Sequence, residues 1–317
     1  MDLFSFLHHI QSQPAWLLLP SALGLLSIFN LTTSLLKHLY TFFFRPPKNL
    51  LLYGSWAFIT GSTDGIGKSL AFQLAQKGLH LILLGRNPDK LKQVSTEMHA
   101  RFKQTQIRTV VVDLAGDLTA GVERIRKEIE GLEVGLLINC AGYGDRLRRF
   151  HEIDDEALRR SVKVNVEGLT KVTQVVLKGM LERNRGAIVN IGSGSSVVRP
   201  SLPLFAVYAA TKAYVEQFSR SLHVEYKRKG IDVQCQIPLF VATKMVPFKR
   251  MSVCTPSPDA YAKAAVRWIG YEPFCMPYWP HYIQWCVASL LPDTPTLAWR
   301  MRYSTSSSMK RKGSKKE

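Results

Sequence analysis

The amino-acid sequence predicts an α/β fold, a doubly wound parallel sheet, preceded by an N-terminal transmembrane helix. Three observations carry that expectation. A charge-free apolar run covers Ala15–Leu36, short apolar runs alternate with longer amphipathic segments between Gly54 and Gly270, and a glycine-rich turn joins the first such run to the segment after it. Strands that are apolar on both faces and separated by helices belong to a parallel sheet covered on both sides. Three regions follow: an anchor with its juxtamembrane segment over 1–50, the sheet domain over 51–270, and an aromatic segment with a basic tail over 271–317.

The anchor run is long enough to cross a hydrocarbon layer. Its basic residues, Lys37, Arg45 and Lys48, follow it, whereas only Asp2 and two histidines precede it, the reverse of a cleaved signal's charged start. A retained anchor is therefore expected, with everything after Lys37 on the cytosolic side and Phe42, Phe43, Phe44 and Arg45 forming an interfacial belt. The later stretch Met276–Leu291 holds Tyr278, Trp279, Tyr282 and Trp285 and is interrupted by Pro277 and Pro280. It is short for a span, so it reads as interfacial, re-entrant or pocket-lining. The last residues, Lys310–Glu317, resemble a dilysine retrieval tail of the endoplasmic reticulum, or else form a solvated tail drawn to anionic lipid.

A formal charge of +18 is concentrated in Arg146, Arg148 and Arg149 and in the tail from Arg300 to Lys316. Neither cluster is interleaved with aromatics and no nucleic-acid motif is present, so no nucleic-acid partner is expected. The cysteines, Cys140, Cys235, Cys254, Cys275 and Cys286, are odd in number and form no C-x-x-C pair, which argues against a disulfide framework or a metal site and for a reducing compartment.

In order along the chain, strands are expected at Trp56–Thr60, His80–Leu84, Thr109–Asp113, Leu136–Asn139, Ala187–Ile191 and Ile231–Ile237. The first ends in Thr60, Gly61, Ser62, Thr63, Asp64, Gly65, Ile66 and Gly67, followed by a helix over Lys68–Lys77. Glycines at these positions permit a tight turn and let backbone N–H groups approach a pyrophosphate at the helix's positive end, the arrangement of a Rossmann-type sheet. After the second strand, Gly85 and Arg86 stand where an NAD-binding chain places an acidic residue. Gly85 leaves room and Arg86 suits a 2′-phosphate, which implies NADPH. Asp113, closing the third strand, either caps the next segment or accepts from the adenine amino group.

Tyr208 and Lys212 are i and i+4 neighbours on a segment that is helical by pattern and ends near Gly230. An ammonium on the same face favours a phenolate, so the phenol can give a proton to an alkoxide and take it back. Around this pair stand Asn139-Cys140-Ala141-Gly142 after the fourth strand, Asn165 in Lys-Val-Asn-Val-Glu-Gly, and Asn190-Ile191-Gly192-Ser193 after the fifth. With the glycine turn and in this order, they resemble the short-chain dehydrogenase/reductase family from about Gly54 to Met245. The resemblance implies that Ser193 hydrogen-bonds the substrate carbonyl, Tyr208 supplies the proton, Lys212 holds the ribose and tunes the phenol, and Asn165 supports a water relay. Ser195 and Ser196 are alternates to Ser193, because the gap to Tyr208 is longer than usual in the family. It further implies cofactor contacts from the glycine turn, Asn139, Ala141 and Gly142, and from Pro238, Val241 and Thr243 in the loop that closes on the nicotinamide. Two departures stand out: Cys140 replaces an asparagine, and Leu239 replaces the glycine after Pro238.

Within the family, Tyr-Gly-Ser-Trp-Ala before the glycine turn, Asn-Pro-Asp-Lys-Leu at 87–91, Val-Ala-Thr-Lys-Met at 241–245 and Tyr-Trp-Pro-His at 278–281 are similar to membrane-bound very-long-chain 3-oxoacyl-CoA reductases, the plant β-ketoacyl reductase type in particular. That likeness implies NADPH-dependent reduction of long acyl-CoA at the cytosolic face of the endoplasmic reticulum, alongside other fatty-acid elongation enzymes. The arginine cluster then meets the CoA phosphates, or is a solvated or lipid-facing loop. A 17β-type hydroxysteroid dehydrogenase and a low-activity subunit of the elongation complex are the other readings.

Overall fold

The computed structural model describes residues 14–145, 147–198, 201–246 and 251–291. The chain forms two compact units, Met1–Pro46 and Pro47–Glu317. In the first, helix α1 (Ala15–Leu39) runs on into a π-helical turn, Tyr40–Phe44. Over Trp16–Phe44 it is long and apolar enough to cross a membrane. Several of its polar groups are answered within the helix: the hydroxyls of Ser21, Ser27 and Thr33 donate to the carbonyls of Leu17, Leu23 and Phe29 at 2.8, 2.7 and 2.9 Å. Such internal pairing is what a hydrocarbon environment demands.

The second unit is built on strands β1 (Trp56–Thr60), β2 (His80–Gly85), β3 (Ile107–Val111), β4 (Val134–Asn139), β5 (Gly186–Ile191), β6 (Ile231–Gln236) and β7 (Phe274–Cys275). Among the described residues they form one parallel sheet in the order β3-β2-β1-β4-β5-β6-β7. Order reverses between β1 and β4, which opens a crevice at the carboxyl ends of those strands. Helices α2 (Gly65–Gln76), α3 (Pro88–Arg101), α4 (Leu118–Ile129), α5 (Asp155–Val162), α6 (Leu169–Glu182), α7 (Ala206–Tyr226), α8 (Pro258–Val266) and α9 (Trp279–Leu290) complete it. Alternate residues of β1 feed opposite cores. Ala57 and Ile59 join Leu70 and Leu74 of α2 and Tyr261 and Ala265 of α8, while Trp56 and Phe58 join Ile125 of α4 and Val172, Val176 and Met180 of α6.

Three elements differ from expectation. The third strand lies two residues earlier, because Asp113 accepts from the Ala115 N–H at 3.0 Å and turns the chain away from the sheet edge. Strand β7 was not expected; it is too short for periodicity to reveal and pairs with β6. Pro280 does not interrupt the 276–291 stretch but lies in the first turn of α9, where a missing N–H costs nothing. α9 buries Pro280 and His281 and exposes Trp279, Ile283, Val287 and Leu290. The Lys310–Glu317 tail and Arg146 lie outside the described residues.

At the amino ends of the strands, Tyr53 Oη donates to Asp232 Oδ2 at 2.5 Å, and Lys48 and Lys227 pair with the same carboxylate at 3.3 and 2.6 Å. Lys48 also donates to the Gly270 carbonyl. Burial alone would raise the Asp232 carboxyl, but hydrogen bonds from Lys227 and Tyr53 and the Lys48 charge hold it below the usual range.

Candidate active site

The end of β1 and the start of α2 form a cradle made by backbone. Gly61 and Gly65 have φ of +66° and +52°, which favour glycine. A Cβ on Gly61 would stand 2.8 Å from Ala141 Cα, and one on Gly67 would stand 2.3 Å from the Gly61 carbonyl oxygen. Asp64 caps α2 through the Gly65 N–H at 2.9 Å, which moves the helix start ahead of the expected Lys68. Burial would raise its carboxyl, yet hydrogen bonds from Lys244 and Gly65 hold it below the ordinary value. Ser62 is buried and donates to the Leu84 carbonyl at 3.2 Å, while Ile66 packs on the core. Those two brace the turn with their side chains. A turn with this backbone geometry at a helix N-terminus fits the pyrophosphate of a dinucleotide.

Thr63 occupies the space beside Gly85: a Cβ there would come within 2.8 Å of Thr63 Cγ2. Arg86 is exposed at the end of β2, directly before Asn87, whose side chain caps α3 through Lys90 N at 2.9 Å. Asp113 is exposed and held in its turn with Ala115.

Sequence reasoning missed Thr60. Its hydroxyl oxygen accepts from the N–H groups of both Cys140 and Ala141 at 3.0 Å, tying the end of β1 to the loop after β4. Cys140 fills the space against α2, with Sγ 3.4 Å from a Cβ position on Gly67. Burial pushes its thiol up to about 12, against the opposing pull of Lys212, and its side chain packs against the core. Asn139 turns inward, donating to Thr173 Oγ1 and Asn190 Oδ1 at 2.8 Å each, while Asn190 donates to Ser219 Oγ at 2.9 Å.

The residues expected to do chemistry converge beyond this loop. Lys212 is buried and donates from Nζ to the Ile191 carbonyl at 2.8 Å, with Nζ 5.9 Å from the centroid of the Tyr208 ring. Gly142 lies between them and Asn165: a Cβ there would be 3.6 Å from Lys212 Nζ and 3.7 Å from Asn165 Oδ1. Asn165 sits in a π-helical turn, Lys163–Gly168, a local widening often found at functional sites. Its oxygen accepts from Tyr143 N at 2.7 Å, and its amide nitrogen donates to the Tyr143 carbonyl and Thr211 Oγ1 at 2.9 and 3.0 Å.

Ser193 begins a 3₁₀ turn, Gly194–Ser196, and its Oγ accepts from both the N–H and the hydroxyl of Ser195, at 3.2 and 3.0 Å. With its oxygen so engaged, the Ser193 O–H is directed to donate elsewhere. Ser195 is buried, and the Ser196 hydroxyl lies within donating distance of both the Ser193 carbonyl and Glu216. In the loop after β6, the Pro238 carbonyl accepts from Gly194 N at 2.8 Å, and Val241 has its side chain in the core. Thr243 Cγ2 is 3.1 Å from a Cβ position on Gly65, and Lys244, also missed from sequence, pairs with Asp64 at 2.5 Å. Of the arginine cluster, Arg148 pairs with Asp154 at 2.9 Å and Asp145 at 3.7 Å, so its charge is already answered within its own loop.

The short chain dehydrogenase family model matches residues 55–252. The very-long-chain 3-oxoacyl-CoA reductase-like protein of Arabidopsis thaliana is 46% identical over 297 residues, covering 92% of this chain and 95% of its own. The human very-long-chain 3-oxoacyl-CoA reductase is 39% identical over 244 residues, covering 76% of each chain. Among solved structures, L-sorbose reductase from Gluconobacter frateurii, complexed with NADPH and L-sorbose, matches with a TM-score of 0.61 at 25% identity, covering 71% of this chain and 95% of that one.

Proposed function

Because the chain belongs to the short-chain dehydrogenase family, we propose that it uses NADPH to reduce long and very-long-chain 3-oxoacyl-CoA to 3-hydroxyacyl-CoA in fatty-acid elongation. It is a nicotinamide-dependent oxidoreductase of the reductase class to which its curated relatives are assigned by name. The observation that carries the chemistry is the buried Lys212 ammonium, fixed on Ile191 and 5.9 Å from the Tyr208 ring.

When bound, a nicotinamide cofactor would supply hydride chemistry at the carbonyl carbon. Ser193 donates its O–H to the carbonyl oxygen, and Tyr208 delivers the proton that turns the developing alkoxide into a hydroxyl. Lys212 has donors left beyond its bond to Ile191, and these would hold the ribose beside Tyr208. Both amide hydrogens of Asn165 are engaged inside the protein, so its part in proton return falls to its backbone carbonyl in the π-helical turn. The glycine cradle would hold the pyrophosphate and Arg86 the 2′-phosphate.

Helix α1 anchors the protein in the endoplasmic reticulum membrane with the 51–270 catalytic domain in the cytosol, where other elongation enzymes exchange substrate with it. The exposed Trp279, Ile283 and Val287 of α9 meet the lipid surface, from which a very long acyl chain is collected. Detergent-solubilised full-length protein, assayed for NADPH oxidation with 3-oxoacyl-CoAs of increasing length and with ketosteroids, tests this. Turnover should favour long acyl-CoA. Steroid turnover without acyl-CoA turnover would assign the site to hydroxysteroids, and none with either would leave a non-catalytic subunit.

A further inference from the structure

His281 lies outside the 55–252 stretch matched by the family, yet its ring touches the loop that follows β6. It is fully buried at the start of α9. Its Nδ1 is 3.2 Å from the Leu239 backbone N and its Nε2 is 3.2 Å from the Phe240 carbonyl oxygen. A backbone N–H can only donate and a carbonyl can only accept. The ring must therefore be neutral, accepting at Nδ1 and carrying its hydrogen on Nε2. Tyr278 packs edge-on against it, with centroids 4.9 Å apart, and Tyr261 lies at 6.1 Å. Burial favours that neutral form, lowering the imidazole to about 4.

Leu239 is the departure from the family's glycine, and Gly194 absorbs it: a Cβ on Gly194 would stand 2.3 Å from Leu239 Cδ2. Gly194 directly follows Ser193. Beyond Phe240 the same loop passes through buried Val241 to Thr243 against Gly65 and Lys244 on Asp64. His281 thus grips the loop at one end, and the cofactor cradle meets it at the other.

We propose that His281 is a positioning residue, whose backbone hydrogen bonds to Leu239 and Phe240, made beside a further backbone contact at Cys254, hold those two residues so that the 238–244 loop is preset against the serine turn and the cofactor cradle. Its effect on cofactor affinity rests on the NADPH reading above; its grip on the loop does not. A glycine would leave this backbone free to rearrange. Here leucine supplies a wedge, and the histidine supplies the bracket that keeps it in register.

The test uses full-length protein carrying His281→Phe, which keeps a ring and loses both bonds, and His281→Gln, which has one acceptor and one donor to restore them. Amide hydrogen exchange without cofactor should rise about tenfold or more across 239–243 in His281→Phe and stay near the parent rate in His281→Gln. The KM for NADPH should rise roughly fivefold to tenfold in His281→Phe, with kcat within about twofold, and return toward the parent value in His281→Gln. Unchanged exchange in folded His281→Phe would overturn the proposal, as would His281→Gln behaving like His281→Phe. If the parent oxidises no NADPH, the functional reading fails while the exchange measurement still decides the grip. If His281→Phe does not fold, His281→Met also lacks both bonds and takes its place.

Discussion

The two halves of the sheet hold their loops by different means. On the β1–β2 side, the tightest contacts are backbone on backbone, Gly61 against Ala141 and Gly67 against the Gly61 carbonyl, with Thr60 and Ser62 bracing them. On the β5–β6 side, side chains do the holding: Ser195 on Ser193, Leu239 on Gly194, and His281 on Leu239 and Phe240. Each half contains one departure from the family pattern. Cys140 is absorbed locally, within the core beside α2, whereas Leu239 needs a partner 42 residues away. A backbone cradle tolerates no added atom. A side-chain clamp tolerates change wherever a second change can answer it.

The largest effect should come where the halves meet. Tyr208→Phe should lower single-turnover NADPH oxidation about 10³-fold, while cofactor binding, followed by nicotinamide fluorescence, stays within about twofold because only the proton donor is lost. Retained turnover would place the acid elsewhere.

The contrast between cradle and clamp can itself be broken. Gly67→Ala drives a Cβ into a backbone carbonyl and should destabilise the fold by about 3 kcal/mol or abolish cofactor binding, with no single side-chain change restoring it. Gly194→Ala crowds the Leu239 side chain, with the Pro238 carbonyl oxygen at an ordinary 3.6 Å, should cost about 1 kcal/mol, and should be relieved by adding Leu239→Ala. Chemical denaturation of the two variants and the double variant measures the difference. Equal penalties, or no relief, would remove the distinction.

Acid sharpens it further. His281 is neutral when folded, with its value lowered from 6.5 to about 4, so between those values the unfolded chain binds more protons. Stability is therefore fully present above about 6.5 and is lost as pH falls toward about 4, by up to ~3 kcal/mol from this group. His281→Gln should flatten that part of the melting-temperature profile. A profile identical to the parent's would show that acid acts through other groups.

A further effect belongs to the cradle's rim. Arg86→Asp should shift the NADPH-to-NADH preference about tenfold to a hundredfold toward NADH, read as the ratio of kcat/KM values, since a carboxylate repels the 2′-phosphate. Equal use of both cofactors by the parent would undo this assignment.

This contrast also explains what was legible in the sequence. Most strand positions and the glycine turn could be read because their requirements are local: a positive φ at Gly61, an apolar run at Trp56–Thr60. The pairing of Tyr208 with Lys212 was legible because one helical turn brings them together. Thr60, Lys244 and His281 were not, because each acts on a backbone or partner far away in the chain, and nothing in its own neighbourhood marks it. For the same reason the sequence could not show how Ser193, Ser195 and Ser196 hydrogen-bond to one another.

The polar cluster at the opposite end of the strands has a practical meaning for anyone wishing to free the catalytic unit from its anchor. The family match begins at residue 55, an inviting place to cut. A fragment starting there would lack Lys48, Leu50 and Tyr53, exposing the hydrophobic site that Leu50 fills and leaving half-buried Asp232 without two of its three described partners. Starting at Pro47 keeps all three residues. The boundary for engineering is thus set by one carboxylate in β6.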